Sequence, residues 1–477
     1  MTTERRDIVS VWRSVRTDFL PFADAASDAL PMSRLLRLSL FQVSVGMAVV
    51  LLTGTLNRVM IVELSVPAWI VSLMVSLPLV FAPLRALIGH RSDHHRSVLG
   101  WRRGPYIWFG SLLQFGGLAI MPFALLILAG FGTGHVWLGY VAGALAFLMT
   151  GAGMHTVQTA GLALATDIAP AETRPRVVAL LYVMLLAGMA ISALIYGLLL
   201  TQFSQIRLIQ LVQGAAFITV ALNFAALWKQ ESRIPFDNAR SEPRPDFKDS
   251  WRAFTSQPRV PRLLAATGLG AAAFAMQDIL LEPYGGEVLS MSVSATTTLT
   301  AVFSIGSIIG FALPAKLLAS DGEPHRIAGL GALVGIIGFT AVILSSTIQF
   351  SPLFVAGVSL IGLGGGLFSV CTLIAVMSLA ETRNSGMALG AWGAVHATAT
   401  GTAIAIGGAM RDGVTLLSSS GALGPALTGP GAGYSTVYST EVILLFCVLV
   451  VIGPLAKHAP SPTSRKTERL EIHAFPN

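Results

Sequence analysis

Charge is what this sequence has least of. Only 12% of its 477 residues are Asp, Glu, Lys or Arg, against 53% apolar, whereas soluble chains average about 25% charged residues. A chain so poor in charge cannot cover a water-facing surface, so soluble enzymes, disordered proteins and nucleic-acid binders are excluded. Cysteine is scarce too. Cys371 and Cys447 both sit inside apolar runs without metal-ligand spacing, so they read as small core residues and no redox or metal site is expected. There is no GxxxxGK[ST] loop, no dinucleotide glycine fingerprint opening a strand-to-helix turn, no GxSxG elbow and no HExxH motif, which leaves catalysis without machinery. No small-residue cleavage site follows the first apolar run near Leu35, so a cleaved signal peptide is not expected. A dense array of buried acids or arginines, expected in many ion-coupled transporters, is also missing.

What the sequence does have is apolar runs of about 20 residues, each long enough to cross a bilayer as a helix. Runs near 36–56, 67–89, 105–130, 136–165, 177–200 and 208–228 form a first set. Runs near 262–282, 296–316, 326–347, 352–376, 386–410 and 436–456 form a second. The expected fold is all-α and integral to the membrane, with twelve transmembrane helices in two six-helix pseudo-repeats of the major facilitator kind. Its expected divisions are a cytoplasmic N-terminal segment 1–34, a six-helix bundle 35–228, a cytoplasmic linker 229–261, a second bundle 262–456 and a cytoplasmic tail 457–477.

Alternate threading puts all of the 31 Lys and Arg residues on one side except Arg58, Arg207 and Arg411, and the positive-inside rule makes that side cytoplasmic, both termini included. Trp69, Trp137 and Trp228 fall at expected span ends, where an indole favours the headgroup layer. The halves repeat in register. Arg34, Leu35 and Leu36 recur 228 residues later (262 − 34 = 228) as Arg262, Leu263 and Leu264, and Asp93 recurs as Asp321. Glu172, Thr173 and Arg174 recur as Glu381, Thr382 and Arg383. Before each half, Val9, Trp12, Val15 and Phe19, then Phe247, Trp251 and Phe254, recur at helical spacing. Each set reads either as a short helix on the membrane surface or as a partly ordered segment. Residues 411–435, rich in Gly, Ser and Pro, are expected to form a flexible loop or one folded along the surface.

Gly89, His90, Arg91, Ser92 and Asp93, followed by Arg102 and Arg103, partly match the major facilitator signature between the second and third helices. With Glu172, Arg174, Asp321, Glu381 and Arg383 they form a candidate cytoplasmic latch, in which acids cap helix N-termini or pair with arginines. Ordinary positive-inside charge would account for the arginines alone. GxxxG pairs at Gly139/Gly143, Gly306/Gly310, Gly331/Gly335 and Gly386/Gly390 point to close helix packing within the bundle.

A charge at bilayer depth costs about 2.5–3.5 kcal/mol on insertion scales and persists with a partner or wet surroundings. Asp278 and Glu282, one turn apart just before Pro283, Gly285 and Gly286, are therefore a candidate polar cavity pair; the alternative is that both emerge into water. His155 with Gln158 on the fourth span, and His396 on the eleventh, are candidate pigment-binding residues, because a neutral imidazole is a good axial ligand for a chlorin magnesium. A lone intramembrane His is more often an interhelical hydrogen-bonder, so the residues alone do not make either a pigment ligand.

The words LPFADAASD (20–28), LNRVMIVEL (56–64), APLRALIGHRSD (82–93), RRGPYIWFG (102–110), TDIAPAETRPRVVALLYVM (166–184) and QDILLEPYGGEVL (277–289) resemble the PucC/LhaA family, the bacteriochlorophyll-delivery branch of major facilitators. The resemblance runs from about residue 20 to about residue 456, with length and N-terminal region closer to the LhaA arm. It implies a non-catalytic assembly factor in the inner or intracytoplasmic membrane of purple phototrophic bacteria. It also implies light-harvesting antenna polypeptides and bacteriochlorophyll-synthesis enzymes as partners beside the lipid bilayer. No resident cofactor is expected; bacteriochlorophyll would be a transient cargo. It carries no residue-level signature, so His155, His396, Asp278 and Glu282 rest on their physics. The competing expectations are a secondary transporter of a hydrophobic or weakly polar small molecule, and a scaffold that binds no pigment.

Overall fold

Lipid offers no hydrogen bonds, so each apolar run must satisfy its own backbone, and a helix is the way a single segment does so. The computed structural model describes residues 30–80, 101, 103–131, 135–170, 173–231, 252, 254–319, 323–379, 385–424, 429 and 431–457. Among them twelve helical spans follow in order. The first six are α1 (Met32–Glu63), α2 (Ala68–Val80), α3 (Gly104–Leu128), α4 (Val136–Ile168), α5 (Arg174–Leu199) and α6 (Gln205–Leu227). The seventh is broken into α7a (Val260–Ala275) and α7b (Leu281–Glu287). The rest are α8 (Val293–Ala319), α9 (Pro324–Ile348), α10 (Ser351–Leu379), α11 (Ser385–Ser419) and α12 (Ala432–Lys457). Nine of these are long and apolar enough to cross a membrane; α2 and α7a are shorter apolar helices, and α11 is diluted by Gly, Thr and Ala.

The packing follows a pseudo-two-fold. In the first half α1 lies against α5 and α6, and α3 against α4 and α6; in the second, α7a lies against α11 and α12, and α9 against α10 and α12. The halves meet through α2 with α11 and α5 with α8. Close packing uses missing side chains: Gly306 and Gly310 of α8 lie against the α10 backbone, and Gly331 of α9 against the Gly364 carbonyl. Gly139 and Gly143 instead receive side chains, Leu128 and Met74. Among the described residues, Tyr182 of α5 stacks on Phe311 of α8 nearer the ends of α1 and α12 that carry the termini, while hydrogen bonds between the halves lie at the face away from those ends. There Trp69 N–H donates to Asp412 Oδ2 at 2.8 Å, Ser294 Oγ to Gly197 O at 2.7 Å, and Arg58 Nη2 to Met291 O at 3.3 Å.

Four expectations need correcting. α1 runs past residue 56 to Glu63 by widening into π-turns at Val50–Thr55 and Val59–Glu63, so Arg58 is not in a loop but inside the helix, buried and paired with Glu63 at 2.6 Å. The seventh span is not one rod. It stops at Ala275 and restarts at Leu281, with Pro283 in the first turn of α7b, where its missing N–H would have no helical partner anyway. α11 continues to Ser419 and α12 begins at Ala432, so much of the expected 411–435 loop is helix and Arg411 lies within a span. Cys447 is exposed on α12, beside Phe446; only Cys371 is buried. Of the two segments expected to lie on the membrane surface, Val9, Trp12, Val15, Phe19, Phe247 and Trp251 fall outside the described residues, while Phe254 is buried against Val260, Leu263 and Leu264.

Candidate functional site: a central cavity and a lateral groove

A polar residue in a span is tolerated where a neighbouring helix or a wet space completes it, and the break in α7 creates both. Past the end of α7a the Gln277 N–H no longer meets a carbonyl one turn back, and it donates at 2.8 Å to Glu441 Oε1 of α12, which is fully buried. Asp278 occupies the turn and accepts from Gln277 Nε2 at 2.9 Å. Glu282, one residue into α7b, is only 4% exposed and accepts from Thr300 Oγ of α8 at 2.6 Å. Its second oxygen has no hydrogen-bond partner among the described residues.

Asp278 and Glu282 line a cavity of about 260 Å³ between the halves, walled by α1, α5, α7, α8, α10 and α11. His396 and Thr400 of α11 line the same space. Trp392, one turn from His396, lies beside its ring (centroids 4.9 Å apart) and is anchored by its indole N–H to Thr372 Oγ at 3.2 Å. Phe274, Phe303 and Phe311 make the apolar wall, and no Lys or Arg is among the described residues that line the space. Beyond it, towards the face that joins the halves, Arg411 bonds to the carboxylate of Glu287, to Asp412 at 2.7 Å and to the Tyr434 hydroxyl at 3.1 Å.

A second space is larger and has different chemistry. It is a groove of about 650 Å³ formed by α7a, α11 and α12, with Met276, Ile406, Met410 and Leu444 on its walls and only threonine hydroxyls for polarity. Thr398, Thr402 and Ile406, spaced one turn apart, are exposed along it, which puts the groove on the outer flank of the second half.

The structure therefore brings Asp278, Glu282 and His396 to one cavity and leaves His155 and Gln158 elsewhere. Those two lie on α4, where Gln158 Nε2 donates to Gln42 Oε1 of α1 at 3.4 Å and the His155 carbonyl accepts from Thr159 Oγ at 2.7 Å. Of the candidate latch, Gly89, Asp93, Arg102, Glu172, Asp321, Glu381 and Arg383 fall outside the described residues. Arg174 opens α5. Arg103 pairs with Asp167 at 3.0 Å, and its N–H donates to Glu231 Oε1 at 2.8 Å, so its described contacts clamp α3, α4 and the end of α6 within one half. Glu441 escaped the sequence reading. Its signal was there, a lone acid in the 436–456 run, but its task depends on a break in a distant helix. Among the described residues no group of three or more His, Cys, Asp or Glu is placed to hold a metal ion.

This architecture has relatives. The structure is similar to that of a bacterial homologue of the human lysosomal transporter Spinster, in an inward-facing, unoccupied conformation, with TM-score 0.65 at 15% identity over 90% of this chain and 98% of that one. Likeness at that identity concerns the fold alone. In sequence the chain is 55% identical to Protein PucC of Rhodovulum sulfidophilum over 407 residues, 83% of this chain and 89% of that protein. It is 52% identical to an uncharacterised protein of the puhA-bchM intergenic region of Rhodobacter capsulatus over 468 residues, 97% and 98% of the two. The family model described as PUCC protein matches residues 55–459, from within α1 to beyond the end of α12, and the chain accordingly belongs to the PucC protein family.

Proposed function

We propose that this protein is a membrane assembly factor for bacterial light-harvesting antenna complexes, and that it handles bacteriochlorophyll on its way to the antenna apoproteins. The observation that carries the reading is the disparity between the two spaces. The larger, at about 650 Å³, is apolar and lateral, while the central cavity holds about 260 Å³, below the ~300–1,000 Å³ of typical small-molecule sites. A tailed chlorin is nearly insoluble in water, so its transfer should run along the lipid-facing side of the bundle. Membership of the PucC family supports the same reading. The protein would sit in the bacterial inner or intracytoplasmic membrane with both termini in the cytoplasm, following its basic residues.

His396, flanked by Trp392 at the wall of the cavity, is the better placed of the two imidazoles to meet a ligand in the space between the halves. His155 shares a face of α4 with Thr159, away from that space. Purification in mild detergent from a phototrophic host tests the reading: bound bacteriochlorophyll together with antenna polypeptides is expected. Thr402→Trp, which fills the groove, should lower the pigment absorbance of a still-monodisperse protein, whereas an equal loss in His396→Phe but not in His155→Phe would place the pigment in the cavity instead. Antenna polypeptides without pigment would point to a scaffold and would remove the pigment-handling role.

A second reading is favoured by a different observation. The cavity lies between the two halves, carries two carboxylates and an imidazole, and sits behind a face closed by contacts between those halves. That geometry suits a transporter that rocks two bundles about a central site. Proton-dependent uptake of a weakly polar solute into vesicles would favour it over the first.

A further inference from the structure

Hydrogen bonds between the halves include those from Arg58 Nη2 to Met291 O and from Ser294 Oγ to Gly197 O, the Thr55 and Thr297 hydroxyls at 3.4 Å, and the bond from Trp69 N–H to Asp412 Oδ2. Of these, the last uses a carboxylate. Its setting follows from the sequence of α2, which has no charged residue between Ala68 and Val80 and so no acid of its own to face its N-terminus. Ile70 and Val71 both donate to the Pro67 carbonyl, which leaves the Trp69 N–H to find an acceptor outside the helix. α11 brings one. Gly408 lacks the Cβ that would strike the Ser72 hydroxyl and stand 2.9 Å from the Ala68 carbonyl. The two helices touch there, and one turn further on Asp412 reaches the first turn of α2.

The charges around Asp412 do not balance within its own half. Arg411 Nη1 donates to Asp412 at 2.7 Å, while its Nη2 bonds to the Glu287 carboxylate of α7b and donates to the Tyr434 hydroxyl of α12 at 3.1 Å. One guanidinium therefore serves two carboxylates. The remaining negative charge is met by the N-terminus of α2, whose aligned peptide dipoles present about half a positive charge. That N-terminus belongs to the other half. At the same face Arg58 and Glu63 of α1 pair with each other at 2.6 Å. The Asp412 side chain keeps 19% of its surface exposed, so water can exchange a proton with it.

We infer that Asp412 is an acid-labile clasp between the halves: as a carboxylate it caps α2 across the interface, and as a carboxylic acid it lets the halves part on this face. The charges set the direction. A proton on Asp412 cancels the excess negative charge, leaves Arg411 with Glu287, and removes what the α2 N-terminus attracted. Closed halves are therefore favoured where Asp412 is ionised, and parting is favoured as pH falls. The Ser294 hydroxyl and the Arg58 guanidinium keep their charge over the same range, so their bonds hold at either pH. The inference rests on the reading in which two bundles rock about the central cavity, and it supplies that motion with a trigger.

Spin labels are placed on Thr201→Cys in the first half and Ser420→Cys in the second, both exposed, in a protein that also carries Cys371→Ala and Cys447→Ser. The distance between them is measured by pulsed electron double resonance in lipid nanodiscs from about pH 7.5 to about pH 4.5, a range that spans the ordinary carboxylate titration. One short distance is expected at the upper end. At the lower end a longer one should appear, with the ratio of long to short about three- to tenfold higher. Asp412→Asn, which removes the charge, should show the longer distance at the upper pH and lose the response to acid. It leaves Asp278, Glu282 and His396 of the cavity in place, so a response that they carry would persist in it. Asp412→Ser, a neutral capping residue, is a second test of the same loss. Ser294→Ala should raise the ratio throughout and keep the response. The clasp is overturned, with rocking left standing, if acid has no effect while Ser294→Ala lengthens the distance, or if the Asp412 variants respond to pH as the parent does. A single unchanged distance in every protein at every pH overturns the clasp and the rocking reading together.

Discussion

α1 and α7 hold the same place in their halves and depart from the ideal helix at the same height. Subtracting 228 from the α7 turn at residues 276–280 gives 48–52, which overlaps the π-turn at Val50–Thr55 of α1. The two helices even touch through equivalent positions, Gly54 against the Glu282 carboxylate (282 − 54 = 228) and Gly286 against the Arg58 guanidinium (286 − 58 = 228). They resolve the irregularity differently. α1 absorbs it by widening its turns, stays continuous and packs backbone to backbone on α5. α7 lets go of its hydrogen bonds, borrows a carboxylate from α12 to cap one of them, and leaves Asp278 and Glu282 facing a cavity. One fold position thus serves as a rigid strut in the first half and as a chemical site in the second. The difference lies in whether the freed backbone groups are re-satisfied within the helix or from outside it.

Substitutions at the two positions should respond accordingly. Gly46→Val drives a side chain into the α5 backbone and should cost about 3 kcal/mol, or abolish folded protein altogether, as read by thermal unfolding in detergent. Glu441→Leu should follow at about 1–3 kcal/mol, because it orphans the Gln277 N–H at the α7 break, while Glu441→Gln keeps an acceptor and should stay near the parent. Thr300→Val removes the hydroxyl that donates to Glu282 and should cost about 1 kcal/mol in the same assay, with no counterpart in α1. The smallest effect is expected for Gly268→Ala, below about 1 kcal/mol, since only the movable Val395 side chain stands in the way. Equal losses at Gly46 and Gly268 would erase the contrast between a glycine set against backbone and one set against a movable side chain.

The spans were legible because their signal is local. The run at 105–130 is seen as Gly104–Leu128 and that at 352–376 as Ser351–Leu379, since length and hydropathy suffice when the backbone must bond to itself. Legibility failed where a local rule met a distant partner. Pro283, Gly285 and Gly286 read as the end of a helix, yet they lie inside a short one, because the break had already been made at Met276 and stabilised by a residue 164 positions away. Arg58 and Arg411 read as loop charges; both lie within helices, with Glu63 and Glu287 as partners that lift the usual objection to a buried cation. Of the polar candidates, Asp278, Glu282 and His396 share a cavity only because α11 lies beside α7a. His155 and Gln158, equally plausible as residues, lie on α4 outside that cavity, where Gln158 reaches Gln42 of α1.

By itself the sequence determined that this is a multi-pass helical membrane protein of duplicated design and which family its words belong to. Those properties are written in hydropathy, spacing and repetition along the chain. Only the tertiary structure decided which polar groups meet, that α7 is broken while α1 is merely widened, and that a polar cavity and an apolar groove draw on different faces of α7a and α11. The reason is physical. A helix can satisfy its own backbone without reference to its neighbours, but a buried carboxylate or a gap between helices is defined by what stands opposite, and that is settled when the bundle packs.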